Sequence, residues 1–191
     1  MRSEIVWIVR ANSNQFRTFV KSKGSPDSIK LLQTLRTGKS LAEIWNPISL
    51  ELYIGNPGES GEESEDRKPV PDLARGVIGI CVNAKARSIL EPLIANRVNF
   101  LTLNTEVGAY YEMDVQQIDC LDASKSIHKL LPSGKVLRVE KYSFHWDRLE
   151  DVHIFIIPEL GRNPVFVSNR FRDIVERNRL KGLSYYPVPL V

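Results

Sequence analysis

Short apolar runs, broken by polar residues, glycine and proline, recur along the chain, and this spacing predicts strands joined by turns with a few helices between them. "EIVWIV" opens as a strand and "SLELYIG" alternates as a second one. Between them, "SPDSIKLLQTLRTGKS" predicts a short helix, with Ser25 as its cap, Pro26 in the first position and Gly38 past its end. Further on, "GVIGICV" predicts a strand that runs into a helix capped by Asn83. Ala86, Ile89, Leu90, Leu93 and Ile94 form the apolar stripe of that helix. Pro92 falls inside the stripe and is expected to kink the helix or start a second one, because it lacks an N–H and crowds the preceding turn.

The remaining patterns are mostly extended. "FLTL" and "KVLRVEKYSF" predict strands, and "VHIFIIPEL" predicts a buried strand ended by Pro158. "AYYEMDVQQIDCLD" predicts one long strand in which Tyr111, Met113 and Val115 alternate with polar neighbours. In the tyrosine pairs Tyr110–Tyr111 and Tyr185–Tyr186, opposite pointing on a strand sends one member of each to the core. Near the end, "VFV" is a strand, Ser168 a helix cap, and Phe171, Ile174, Val175 and Asn178 share one helical face. Gly182 is expected to stop this helix, and "LSYYPV" is the closing strand.

Two of these segments match in residue type. "VNAKARSILE", Val82 to Glu91, lies position by position on "VSNRFRDIVE", Val167 to Glu176. The match predicts one strand–helix–strand unit used twice. The expected fold is therefore α+β or α/β, a mixed sheet with short amphipathic helices. Composition breaks at "GNPGESGEESEDRKPVPD", a glycine-, proline- and acid-rich stretch without periodicity. It divides the chain into an N-terminal section over 1–54, an acidic loop over 55–72 and a main domain over 73–191, with the first section a candidate to join the main domain.

Charge narrows the function. With 26 basic and 23 acidic residues the net charge is +3, too little for a protein that tracks phosphates along nucleic acid. The basic residues Arg170, Arg172, Arg177, Arg179 and Lys181 surround their helix instead of forming one stripe. Asp173 with Arg177 and Arg172 with Glu176 stand at pairing distance along it. The two cysteines, Cys81 and Cys120, lie in apolar or mixed surroundings with no CxxC or Cys/His spacing, which predicts reduced core thiols and no metal site. The first residues carry Glu4 and too short an apolar run for a leader, and no stretch has the length of a membrane span, so a cytoplasmic protein without membrane attachment is expected.

Catalytic patterns are weak. His145, Asp147 and His153 are the one cluster from which acid–base or metal chemistry could be built, as in a hydrolase or nuclease, but their spacing matches no known ligand or general-base motif. "GNPGESG" lacks the lysine and following helix that a phosphate cradle needs. No cofactor is expected.

Four pieces together, "WNPISLEL", "VNAKARSILEPLI", "YYEMDVQQIDCLDASKS" and "IFIIPEL…VFVSNRFRDIVERNRLKGLSYYPV", resemble the immunity-protein-eleven family of bacterial polymorphic toxin systems. The resemblance covers roughly residues 45 to 188. It implies a non-enzymatic cytoplasmic protein that binds and neutralises a cognate protein toxin, and it brings no catalytic residues. Oligomeric state stays open. For a toxin with a basic cleft, the acidic residues Glu62, Glu63, Glu65 and Asp66 are the expected contact, acting as a phosphate mimic.

Overall fold

The continuous apolar runs form strands buried on both faces. The computed structural model describes residues 5–23, 41–54 and 67–191; the helix expected over 25–38 and the acidic residues Glu62, Glu63, Glu65 and Asp66 lie outside them. The described elements are, in order, β1 (Val6–Ala11), β2 (Phe19–Lys21), β3 (Ile48–Leu52), β4 (Leu73–Arg75), β5 (Ile80–Asn83), α1 (Ala84–Ile94), β6 (Val98–Thr105), β7 (Tyr110–Val115), β8 (Ile127–Leu130), β9 (Val136–Lys141), β10 (Ile154–Phe155), β11 (Val165–Ser168), α2 (Asn169–Arg177) and β12 (Leu183–Pro187). They build a six-stranded mixed sheet ordered β2-β3-β6-β7-β5-β4, a four-stranded antiparallel sheet ordered β10-β11-β1-β12 and a two-stranded ribbon, β8-β9. The fold is thus mostly β with two described helices, of the expected α+β type. Strands of the first 54 residues enter both sheets: β1 lies between β11 and β12, and β3 pairs in parallel with β6.

Three cores follow from this layering. The central one joins both helices to the inner faces of both sheets, through residues such as Val82, Leu90, Met113, Val167 and Phe171. The second covers the outer face of the four-stranded sheet with Phe144, Phe155 and Phe166. The third covers the outer face of the six-stranded sheet with Leu50, Cys81, Leu103 and Tyr110. Along β5, Ile80 and Val82 face the central core and Cys81 the third; along β11, Val165 and Val167 face the central core and Phe166 the second. Such strands read as unbroken apolar runs because neither face meets water. Both cysteines are fully buried and free.

The repeat is structural as well as sequential. The segment β5-α1-β6 places its two strands on either side of β7, antiparallel to it. The segment β11-α2-β12 does the same around β1. Each is a strand–helix–strand unit split by a central strand. The cap residues agree: Asn83 accepts from the Ala86 N–H at 2.8 Å and Ser168 from the Phe171 N–H at 3.2 Å. In one unit Arg87 pairs with Glu91 at 3.0 Å and lies 5.0 Å from the Phe100 ring and 4.4 Å from the Tyr111 ring. In the other, Arg172 pairs with Glu176 at 2.7 Å and lies 4.2 Å from the Trp7 ring and 5.6 Å from the Tyr185 ring. Tyr111 and Trp7 occupy the same register of the two central strands, one place beyond the partners of the two caps, Tyr110 and Val6. Aromatic stacking shields the aliphatic stem of each arginine and adds about 0.5–1 kcal/mol at such half-exposed sites.

Four local expectations need correction. Of the two alternatives at Pro92, a second helix does not start there: α1 runs through it to Ile94. It sits in the last turn, where its ring forfeits one backbone bond while Leu90 and Ile94 stay buried, and the Ala95 N–H resumes bonding to Glu91 at 2.9 Å. The strand beginning at Tyr110 stops at Val115, and Glu112 and Asp114 are buried instead of alternating outward, because a third core lies on their side of the sheet. The left-handed residue that closes α2 is Arg179 (φ 52°), not Gly182. Arg179 N–H bonds to Glu176 and Leu180 N–H to Val175, both at 3.0 Å, and buried Leu180 packs in the central core with Val175: a Schellman ending with arginine in the usual glycine place. Arg172 and Glu176 pair as expected, but the Asp173–Arg177 pair does not form.

Gly182 serves the packing of the two sheets. At φ +119° its Cα faces the backbone of β4, and a Cβ there would stand 1.8 Å from the Leu73 carbonyl oxygen. Gly182→Ala is expected to lower the unfolding free energy by well over about 1 kcal/mol, adding a steric clash to an unfavourable φ. Gly134→Ala, at φ +79° with open space around it, bears only the conformational term. Urea unfolding of both variants checks this; equal losses would remove the packing argument.

Candidate functional site

The sequence "RGVIGI" closes the β4–β5 hairpin with a four-residue loop, in which the Gly76 N–H bonds to the Gly79 carbonyl at 3.0 Å. The next three N–H groups have no partner within the hairpin. They point instead at Glu112 on the neighbouring β7: Val77 at 2.7 Å, Ile78 at 3.1 Å and Gly79 at 2.9 Å. The Glu112 carboxylate is fully buried and fills the space a Gly76 Cβ would need, 2.0 Å from Oε2. Burial pushes its pKa up to about 7, against the pull of the three N–H groups and of Arg162.

Two residues along β7, Asp114 is also buried and bonds to Arg162 at 2.6 Å. Its other oxygen accepts the Leu41 N–H at 3.3 Å. Arg162 thus ties the loop before β11 to the six-stranded sheet. The hairpin loop and Arg162 line a cleft of about 780 Å³, together with Arg10, Phe19 and Tyr53. Arg75 also lines it. Arg10 is held 5.3 Å from the Tyr186 ring. The cleft therefore offers guanidinium groups among apolar walls. That combination suits an acidic segment carrying apolar side chains. Lys68 Nζ donates at 3.2 Å to the carbonyl of Ser13, another lining residue.

The sequence-derived chemical candidates take separate structural partners. His153 Nδ1 shares a hydrogen bond with the Ser168 hydroxyl at 2.9 Å, and burial and then Arg170 lower its pKa. His145 precedes the 3-10 turn Trp146–Leu149, and its backbone N–H bonds to the Cys120 carbonyl at 2.8 Å. Asp147 lies exposed in that turn, and no polar contact joins the three side chains. Burial raises the pKa of Cys81, and pushes that of Cys120 up to about 12, so both thiols stay protonated. No group of three or more His, Cys, Asp or Glu able to hold a metal occurs among the described residues. On α2, Arg172 is spent on its aromatic stack.

Sequence reasoning missed Glu112, Asp114 and Arg162. The first two were read as the polar side of a half-exposed strand, although the two glycines of "GVIG" hinted at a loop that a neighbour must approach closely. The model of the Immunity protein family (Imm11) matches residues 32–189 of the chain. No curated protein matches. No described helix is long and apolar enough to cross a membrane.

The Glu112 carboxyl gives stability a pH dependence. Its folded pKa, about 7, lies above the ordinary value of 4.5, so the folded state holds the proton more tightly. Stability from this group is fully present below about pH 4.5 and is lost as pH rises through 7. Glu112→Gln cannot titrate, so the stability of the wild type relative to this variant should fall between pH 5 and 8, by an amount on the order of a few kcal/mol. Denaturant unfolding at several pH values measures it; a constant or rising difference would show that the three N–H bonds outweigh burial.

Proposed function

This chain belongs to the immunity protein family Imm11, membership of which implies toxin neutralisation, and we propose that it neutralises one cognate toxin by binding it, covering the working surface of that toxin without a reaction of its own. Immunity proteins are generally non-enzymatic, and the use of the buried acids in this fold supports the reading. Glu112 holds a hairpin loop and Asp114 an arginine. Both engage protein groups in geometry suited to rigid support. The Arg-lined cleft and the surface around it are the better candidates for contact. The acidic residues Glu62, Glu63, Glu65 and Asp66 add a second contact to this proposal, steering encounter with a basic region of the toxin.

Two outcomes are expected when the chain is produced with its cognate toxin, sought among the products of the adjoining reading frames. Growth is protected, and the purified toxin loses activity in proportion to the protein added, with saturation at a fixed stoichiometry. His145→Ala with His153→Ala leaves protection intact. Inactivation of many toxin molecules by one protein molecule, abolished by that double variant, would instead establish an enzyme. Replacing the four acids by serine is expected to slow association several-fold at low salt and little at high salt, because salt screens long-range attraction between charges. An unchanged rate at low salt would remove those acids from the encounter.

A further inference from the structure

The ribbon β8-β9 is joined to neither large sheet. Its base is fixed: the Ser143 N–H donates to the Ser126 hydroxyl at 2.9 Å, and Val139 packs against the second core. Beyond that base it displays apolar side chains. Ile127 is 46% exposed, Leu130 54%, Leu131 40% and Leu137 56%. Leu130 pairs with Val136 and Lys129 with Arg138, so Leu137 is the extra, unpaired residue of a register irregularity at the distal end, next to the turn held by the Leu131 N–H on the Lys135 carbonyl at 2.8 Å. A two-stranded ribbon is marginal in water by itself, and exposed leucines cost solvation free energy that a partner would recover.

The charges on the ribbon are one-sided. Lys129, Lys135, Arg138 and Lys141 face a single acid, Glu140. Glu140 is shared by Arg138 at 2.8 Å and Lys129 at 3.4 Å, while Lys135 and Lys141 have no ion pair among the described residues. Carboxylates are the complement of this basic rim. A second copy of the chain would bring the same positive rim against itself. A nucleic acid would match the charges and leave the leucines in water.

We propose that the β8-β9 ribbon is a docking element that enters an apolar groove rimmed by carboxylates on the cognate toxin. The ribbon supplies Leu130 and Leu137 as apolar anchors, and Lys135 and Lys141 as rim charges. Anchors of this kind set the dissociation rate, and rim charges set the association rate. The inference rests on the toxin-binding reading above and adds the surface and the chemistry of the partner.

The test uses the full chain and the toxin that the protection assay identifies, with binding followed by surface plasmon resonance across salt concentrations. Leu130→Ser with Leu137→Ser changes only exposed positions and should weaken affinity tenfold or more, chiefly through faster dissociation. Lys135→Glu with Lys141→Glu should slow association several-fold at low salt, with the difference vanishing at high salt. Backbone amides over 127–141 should gain hydrogen-exchange protection in the complex. Affinities within twofold of wild type for both double variants, with no added protection, would overturn the docking element while leaving toxin binding in place. A wild-type chain that neither binds nor protects would overturn the toxin-binding reading itself, and the ribbon proposal with it. A third arm uses vesicles of phosphatidylserine and phosphatidylcholine: binding to these that is lost in both double variants, with toxin binding unaffected, would make the ribbon a membrane contact and overturn the proposal.

Discussion

The close approach of Leu73 to Gly182 is the contact on which the arrangement of the two sheets depends. The Leu73 N–H bonds to the Lys181 carbonyl at 2.9 Å, where β4 at the edge of one sheet meets the turn leading into β12 at the edge of the other. Asp72 secures the same junction from both sides. One of its oxygens accepts the Lys181 N–H at 2.9 Å, and the other accepts from Asn83 Nδ2 at 3.0 Å, the residue that caps α1. The cap of α1 and the turn after α2 meet here, and both helices pack into one central core. A side chain at 182 would force the edges apart and open that core along its length.

Doubling one unit creates a packing problem that the sequence resolves asymmetrically. Each copy has an inner face, taken by the shared core, and an outer face that must be covered separately. The four-stranded sheet covers its outer face with stacked and edge-on aromatic rings, including Phe155 and Phe166 at 5.1 Å. The six-stranded sheet instead buries Glu112 and Asp114 there. Buried carboxylates are costly unless every oxygen is engaged, and here a hairpin loop and an arginine engage them. The outcome is a rigid loop beside the cleft, in the one copy where β2 and β3 extend the sheet.

This division of labour suits a protein that acts by presenting surfaces. The interior is tightly specified, with arginines stacked on aromatics in both units and the helix ends capped by side chains. The surface features without a mirror in both units are the arginine-lined cleft and a basic, leucine-bearing ribbon. Exposed ribbon side chains such as Leu130 and Lys135 can change on such a scaffold without disturbing its core, because exposed positions carry little of the folding free energy.

The sequence by itself determined the local elements and their repetition. Asn83 and Ser168 were legible as caps because a hydroxyl or amide before an apolar stripe has few other uses, and the strand–helix–strand match followed from residue types alone. The family was legible too, since its motifs are mostly structural. Only the tertiary structure decided what covers each outer face. Whether Glu112 and Asp114 face water or a third core depends on β3, Leu41 and the loop at 76–79, which are distant in sequence. Periodicity cannot report a face that a remote segment closes. The same holds for Gly182: glycine's freedom to enter the left-handed region suggests a helix end, whereas a backbone 109 residues away, in Leu73, requires it.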